Sequence, residues 1–180
     1  MAKKIITQDF FKQDTLKVAK QLLGKIIECN GCRGIIVETE AYKEDEASHA
    51  KTKTERSKLM HESYGHVYVY LIYGMYNCLN FTSDIKPGAV LIRAIEPING
   101  LDLMMKRRKT QNIHNLCSGP GKLCQAFNIT KKYNTELINK NVKLYDMGKK
   151  PKIACSPRRG IIKATHLEWR FFVKDNKFVS

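Results

Sequence analysis

Between His66 and Phe81 the chain reads His-Val-Tyr-Val-Tyr-Leu-Ile-Tyr-Gly-Met-Tyr-Asn-Cys-Leu-Asn-Phe, crowded with aromatic and β-branched side chains and interrupted by Gly74. Such residues fit a pleated surface, and a lone glycine within the run marks a turn, so two strands joined at Tyr73-Gly74 are predicted. Asn30-Gly31 is a second hairpin signal, set between Lys25-Ile-Ile-Glu28 and Arg33-Gly-Ile-Ile-Val37. The strand that follows, Gly34 to Tyr42, would alternate Ile35, Val37, Thr39 and Ala41 on one face with Ile36, Glu38, Glu40 and Tyr42 on the other. Ala89 to Ile95 adds an apolar strand.

Helical signals are fewer. Asp14 is a plausible N-cap for Leu16, Ala19, Leu22 and Leu23, with Gly24 as the stop; further helices are expected near Gly100 to Lys109 and from Pro120 to Phe127. Residues 43–63 have no clear period and suggest a long loop, residues 130–158 are basic and poorly patterned, and Gly160 to Val173 closes with a strand. With 180 residues and no internal repeat, the chain is expected to be one α+β domain over residues 1–180, a mixed fold on an antiparallel sheet with peripheral helices.

The formal charge of +15 points to a polyanionic partner, nucleic acid first. Residues 1–96 carry 14 basic and 12 acidic side chains and residues 97–180 carry 18 and 5, which puts the electrostatic footprint in the second half. A lysine-rich solvated surface is the competing explanation. No stretch approaches the roughly 20 apolar residues of a membrane span and Met1 to Asp14 lacks a secretory core, so an intracellular protein with reduced thiols is expected. Cys29-Asn-Gly-Cys32 resembles half of a zinc ribbon, yet no second pair completes it, and the cysteines would flank the Asn30-Gly31 turn.

Glu38 and Glu40 would share one strand face about 7 Å apart, within the range used in chemistry at a sugar C1. Arg93, set in Ala89-Val-Leu-Ile-Arg-Ala-Ile95, needs a carboxylate partner that a neighbouring strand could supply. Tyr73, a large ring beside glycine at a hairpin tip, is poorly placed for burial and well placed to wedge or stack. Lys106-Arg-Arg-Lys109 and Lys122 of Ser118-Gly-Pro-Gly-Lys122 are candidate phosphate contacts. Glu40 with Glu44 and Asp45 could instead hold magnesium as a nuclease would, and a non-catalytic nucleic-acid-binding domain is the other alternative.

Taken together, Ile36-Val-Glu-Thr-Glu-Ala-Tyr42, His49, Tyr68-Val-Tyr-Leu-Ile-Tyr-Gly-Met-Tyr76, Asn80, Val90-Leu-Ile-Arg-Ala-Ile-Glu-Pro97 and Leu116-Cys-Ser-Gly-Pro-Gly-Lys-Leu-Cys-Gln125 strongly resemble the alkyladenine (3-methyladenine) DNA glycosylase family, in order and spacing over about residues 10–173. The resemblance implies a single mixed domain with a curved antiparallel sheet. It also implies hydrolysis of damaged purines, alkylated or deaminated, from double-stranded DNA by a monomeric, monofunctional enzyme without metal or cofactor. By it, Glu40 looks like the general base, Arg93 its partner and Tyr73 the residue that fills the gap left by a flipped nucleotide. Tyr42, His49 and Tyr70 would line the base pocket, Asn80 would exclude undamaged guanine, and Glu38 would be structural. Electron-rich tyrosines would attract a cationic methylated purine. Met60-His-Glu-Ser-Tyr-Gly65, Asn77 and Arg159 depart from the family pattern.

Overall fold

A computed structural model describes residues 4–83 and 86–180. These form strands β1 (Lys4–Ile5), β2 (Ile26–Cys29), β3 (Cys32–Tyr42), β4 (Val67–Ile72), β5 (Tyr76–Thr82), β6 (Ala89–Asn99), β7 (Lys143–Asp146), β8 (Ile153–Ser156) and β9 (Arg170–Val173). The α-helices are α1 (Thr15–Leu22), α2 (Lys58–Glu62), α3 (Leu101–Arg108) and α4 (Pro120–Ala126). The strands make one curled antiparallel sheet in the order β1-β7-β2-β3-β6-β5-β4, with β9 joining β3 past the end of β2 and β8 pairing with β9. The expected α+β domain with a curved antiparallel sheet is the architecture found.

Local chemistry explains the first elements. Asn30 and Gly31 both take left-handed backbone angles (φ 50° and 78°), as a two-residue turn between right-twisted strands requires, and Cys29 pairs directly with Cys32. The Asp14 carboxylate accepts hydrogen bonds from the Leu16 and Lys17 amides at 3.0 and 3.3 Å, satisfying donors that a helix start leaves open. Helix α1 then buries Val18, Ala19 and Leu22 against the sheet, where the Thr39 hydroxyl donates to the Ala19 carbonyl at 2.9 Å. Phe11, Phe81, Ile92, Ile95 and Phe127 complete the densest part of the core.

The strict alternation expected along β3 does not hold. Ile36 pairs with Ile95 and Thr39 with Ile92, but between them Glu38 faces Ala94, so Val37 bulges from β3 and Arg93 from β6. Each bulge reverses the phase of side-chain facing on its own strand. Ile36 and Ala41, five residues apart, therefore both reach the main core, as do Ile92 and Ile95, three apart. Glu38 and Glu40 remain on the other face, with Arg93 brought between them.

Residues 43–63 contain a 3-10 turn at His49–Lys51 and helix α2 rather than a plain loop. Strand β6 runs on through Pro97, which pairs with Gly34 where, among the described residues, no strand on its other side calls for the N–H that proline lacks. Among the described residues, no helix is long and apolar enough to cross a membrane. Five cysteines are buried free thiols and Cys155 is exposed; Cys29 and Cys32 flank the β2-β3 turn, and the Cys32 thiol donates toward the Gly100 and Ala126 carbonyls.

Candidate active site

Strands β3, β6 and β9 bring two carboxylates and two guanidiniums into one buried cluster. Glu38 and Glu40 have no solvent exposure. Glu38 accepts from Arg93 Nε at 3.2 Å, Arg170 Nε at 2.6 Å, and the Ser180 amide and hydroxyl at 2.7 and 3.0 Å. These four hydrogen bonds tie Glu38 to β6, β9 and Ser180. Glu40 is held differently: its Oε1 accepts from the Arg159 amide at 2.7 Å and lies 3.3 Å from Arg93, while its Oε2 accepts from the Tyr42 hydroxyl at 2.9 Å. Burial pushes the Glu40 carboxyl above the ordinary 4.5 of glutamate, although Arg93, the Arg159 amide and Tyr42 all pull the other way. Arg93 bridges both glutamates, so the partner its sequence environment demanded is in fact a pair.

A cavity of about 820 Å³ opens over this cluster. Glu40 does not line it, but the three residues that touch Glu40, namely Tyr42, Arg93 and Arg159, all do, so the carboxylate lies directly beneath the wall. His49, Tyr68, Tyr70 and Asn80 also face the cavity. The His49 Nδ1 and Tyr68 hydroxyl are 3.1 Å apart, and the His49 and Tyr70 rings meet edge-on at 5.0 Å. Burial, with Arg56 nearby, holds the His49 pKa below its usual 6.5, so the ring is neutral at neutral pH. Asn80 donates to the Tyr68 and Cys78 carbonyls, both at 3.2 Å.

The rings are less free than the sequence suggests. Arg56 lies 4.9 Å from the Tyr70 centroid and Arg158 lies 4.7 Å from that of Tyr42, so one face of each already carries a guanidinium. Arg158 is buried, forks onto Asp45 at 2.7 and 3.1 Å, and donates to the Ala41 carbonyl at 3.0 Å. Neither arginine was singled out by sequence, since nothing in a basic run distinguishes a buried member from a solvated one.

At the rim, Tyr73 and Gly74 adopt φ of 52° and 67° and the Met75 amide closes the turn onto Ile72 at 3.2 Å. Tyr73 is 76% exposed beside Met75 at 68%, an apolar tip left open to solvent among the described residues. Left-handed backbone is uncommon for tyrosine, and here it projects the ring from the hairpin.

Residues 9–177 match a family model described as methylpurine-DNA glycosylase. The chain belongs to this family. It is 45% identical to a protein of Clostridium novyi, with 98% of both chains covered, and 43% identical to one of Prosthecochloris aestuarii, covering 97% of this chain and 90% of that one. A Methanocella arvoryzae protein is 44% identical over 98% of this chain and 96% of its own. All three carry the name "putative 3-methyladenine DNA glycosylase". Membership makes the protein a hydrolase acting on DNA, in the repair of alkylation damage.

The basic residues of this glycosylase divide into two kinds. Lys106 and Lys109 are exposed at the end of α3, and Lys122 lines the cavity. Arg107 and Arg108 are half-buried braces: Arg107 donates to the Ala126 and Asn30 carbonyls at 2.9 and 3.1 Å, and Arg108 to the Leu116 and Asn115 carbonyls at 3.2 and 3.3 Å. Their donors tie α3 to the β2-β3 turn, the 113–116 turn and α4. The acidic residues also separate: Glu40 is buried beneath the cavity wall, Glu44 is exposed and Asp45 is committed to Arg158, so the three residues of the magnesium alternative do not converge. Among the described residues no three His, Cys, Asp or Glu side chains are placed to hold a metal ion.

Proposed function

We propose that this glycosylase turns a methylated or deaminated purine out of duplex DNA into the 820 Å³ cavity and hydrolyses its N-glycosidic bond with a water held by Glu40. The observation that carries the proposal is the buried Glu40–Arg93 pair directly behind a tyrosine-rich cavity wall. An ionised carboxylate has about four acceptor positions, and the Arg159 amide, Arg93 and Tyr42 use three, which leaves one for a water. As the bond from C1′ to the base nitrogen breaks, its electrons leave with the base and positive charge develops on the sugar. The Glu40 anion stabilises that charge; the water oxygen attacks C1′ and its proton passes to Glu40. Arg93 fixes the orientation of Glu40 and offsets the cost of ionising it in a dry site.

Tyr42 and Tyr70 present aromatic surface to the purine at the cavity wall, and neutral His49 places no charge against a cationic base. Tyr73 enters the stack where the nucleotide left it, and Lys106, Lys109 and Lys122 contact phosphates. The product is an intact abasic strand. Incubation with duplexes containing a methylated purine or hypoxanthine tests this: free base should appear with strand breaks only after alkali, and unaffected by EDTA. Breaks without alkali, or loss of activity in chelator, would overturn it.

A further inference from the structure

Among the described residues, five cationic side chains line the cavity, Arg56, Arg93, Arg108, Lys122 and Arg159, and no carboxylate does. Three of the five are already engaged. Arg56 donates to the Leu71 carbonyl at 3.1 Å and stacks on Tyr70, Arg93 spans Glu38 and Glu40, and Arg108 is spent on main-chain carbonyls. Arg159 differs from these. Its side chain is exposed at the cavity wall, and among the described residues its guanidinium meets no acceptor, ion-pair partner or ring. Its backbone amide is the short 2.7 Å donor to Glu40. Gly160 follows with a φ of 71° and open space about its Cα, so nothing crowds the loop at this point.

A free guanidinium beside a site for DNA has one abundant partner, the phosphodiester, which its planar fork can engage with two parallel hydrogen bonds. C1′ and both flanking phosphates are joined through the same deoxyribose. Placing C1′ at Glu40 therefore sets the phosphate beside the residue whose amide holds Glu40. We infer that Arg159 grips the phosphodiester flanking the flipped nucleotide, so that one residue ties the sugar–phosphate backbone by its side chain and the general base by its main chain. The inference rests on the flipping and hydrolysis proposed above. It makes Arg159 a positioning residue in which backbone grip and carboxylate placement are coupled. It also gives a role to one of the departures from the family pattern.

The test uses the full chain with Arg159→Ala and Arg159→Lys, and duplexes in which the phosphate 5′ or 3′ of the lesion is replaced by an uncharged methylphosphonate. On ordinary DNA, Arg159→Ala should bind about tenfold more weakly, with a slope of log affinity against log salt lower by about 0.9, one phosphate contact. Arg159→Lys should recover part of the affinity, since it keeps the charge and loses the fork. On one of the methylphosphonate duplexes the wild type should fall to the level of Arg159→Ala, and the variant should lose nothing more. Equal fractional losses for wild type and variant at both positions, or an unchanged affinity and salt slope in Arg159→Ala, would overturn the inference. Absence of base release by the wild type would instead overturn the proposed function, so the two failures are distinct.

Discussion

Replacing each glutamate of the buried cluster by glutamine should separate chemistry from architecture. In Glu40→Gln the amide oxygen can take the Oε1 position, still accepting from the Arg159 amide and Arg93, while the new NH₂ points at the Tyr42 oxygen, which can turn to accept. The Arg159 amide and Arg93 keep their acceptor, the Tyr42 hydroxyl can turn its proton to the cavity it lines, and removing a desolvated charge offsets the lost attraction to Arg93, so stability should change by no more than about 1 kcal/mol. Chemistry should not survive, because an amide cannot take the water's proton. Loss of a general base costs about 10²- to 10⁴-fold, which is roughly 3 to 5 kcal/mol of barrier. Glu38→Gln has the opposite geometry. One oxygen must serve Arg93, Arg170 and the Ser180 hydroxyl while the NH₂ is forced against the Ser180 amide, donor against donor around a fully buried side chain. That should cost about 3 kcal/mol or more and lower Tm by roughly 6–12 °C. Single-turnover base release and thermal melting on both variants decide the matter. A Glu40→Gln enzyme within about threefold of the wild-type rate would place the general base elsewhere.

Tyr73→Ala should lose both binding and excision on a paired lesion and recover part of each on a bulged one, where unstacking is already done; equal fractional losses on both would return the ring to the pocket or core. Because burial raises the Glu40 pKa and only the ionised carboxylate accepts a proton, the rate should fall about tenfold per pH unit on an acid limb centred above 4.5. A limb at or below that value would contradict the buried setting. Removing Lys106 and Lys109 together should flatten the salt slope of duplex binding by about 1.8 and leave Tm unchanged. Arg107→Ala should instead destabilise by roughly 2 kcal/mol by orphaning the Ala126 and Asn30 carbonyls, with a smaller effect on the slope. A salt slope that responds to Arg107 and ignores the two lysines would reverse these assignments.

What the sequence made legible was what short-range chemistry decides. The Asn30-Gly31 and Tyr73-Gly74 turns, the Asp14 cap and the apolar run of β6 each depend on neighbours within a few residues, and each is where it was expected. The bulges at Val37 and Arg93 were not legible, because a bulge is a property of two strands in register and neither strand carries its signal alone. Strands β7 and β8 have four residues each, with exposed or half-exposed side chains at most positions, so no period betrays them. The division of Lys106–Lys109 into free and bracing members depends on carbonyls as distant as Asn30 and Ala126. Helix pattern could not supply those partners. Asp45 likewise reads as solvated until Arg158 arrives from 113 residues away.

The buried thiols have a consequence for an enzyme that works amid methylating chemicals. A cysteine reacts with such electrophiles as the thiolate, and burial pushes Cys29 and Cys78 up to about 11 and Cys117 to about 12, with Cys32 and Cys124 raised as well. At neutral pH the anionic fraction of Cys29 and Cys78 is then on the order of one in ten thousand, against about one in thirty for an ordinary thiol of pKa near 8.5. Five of the six cysteine thiols are thereby withheld, by desolvation and by lack of access, from alkylating reagents. Among the cysteines, Cys155, exposed at β8, is the thiol that an alkylating agent can reach without opening the fold.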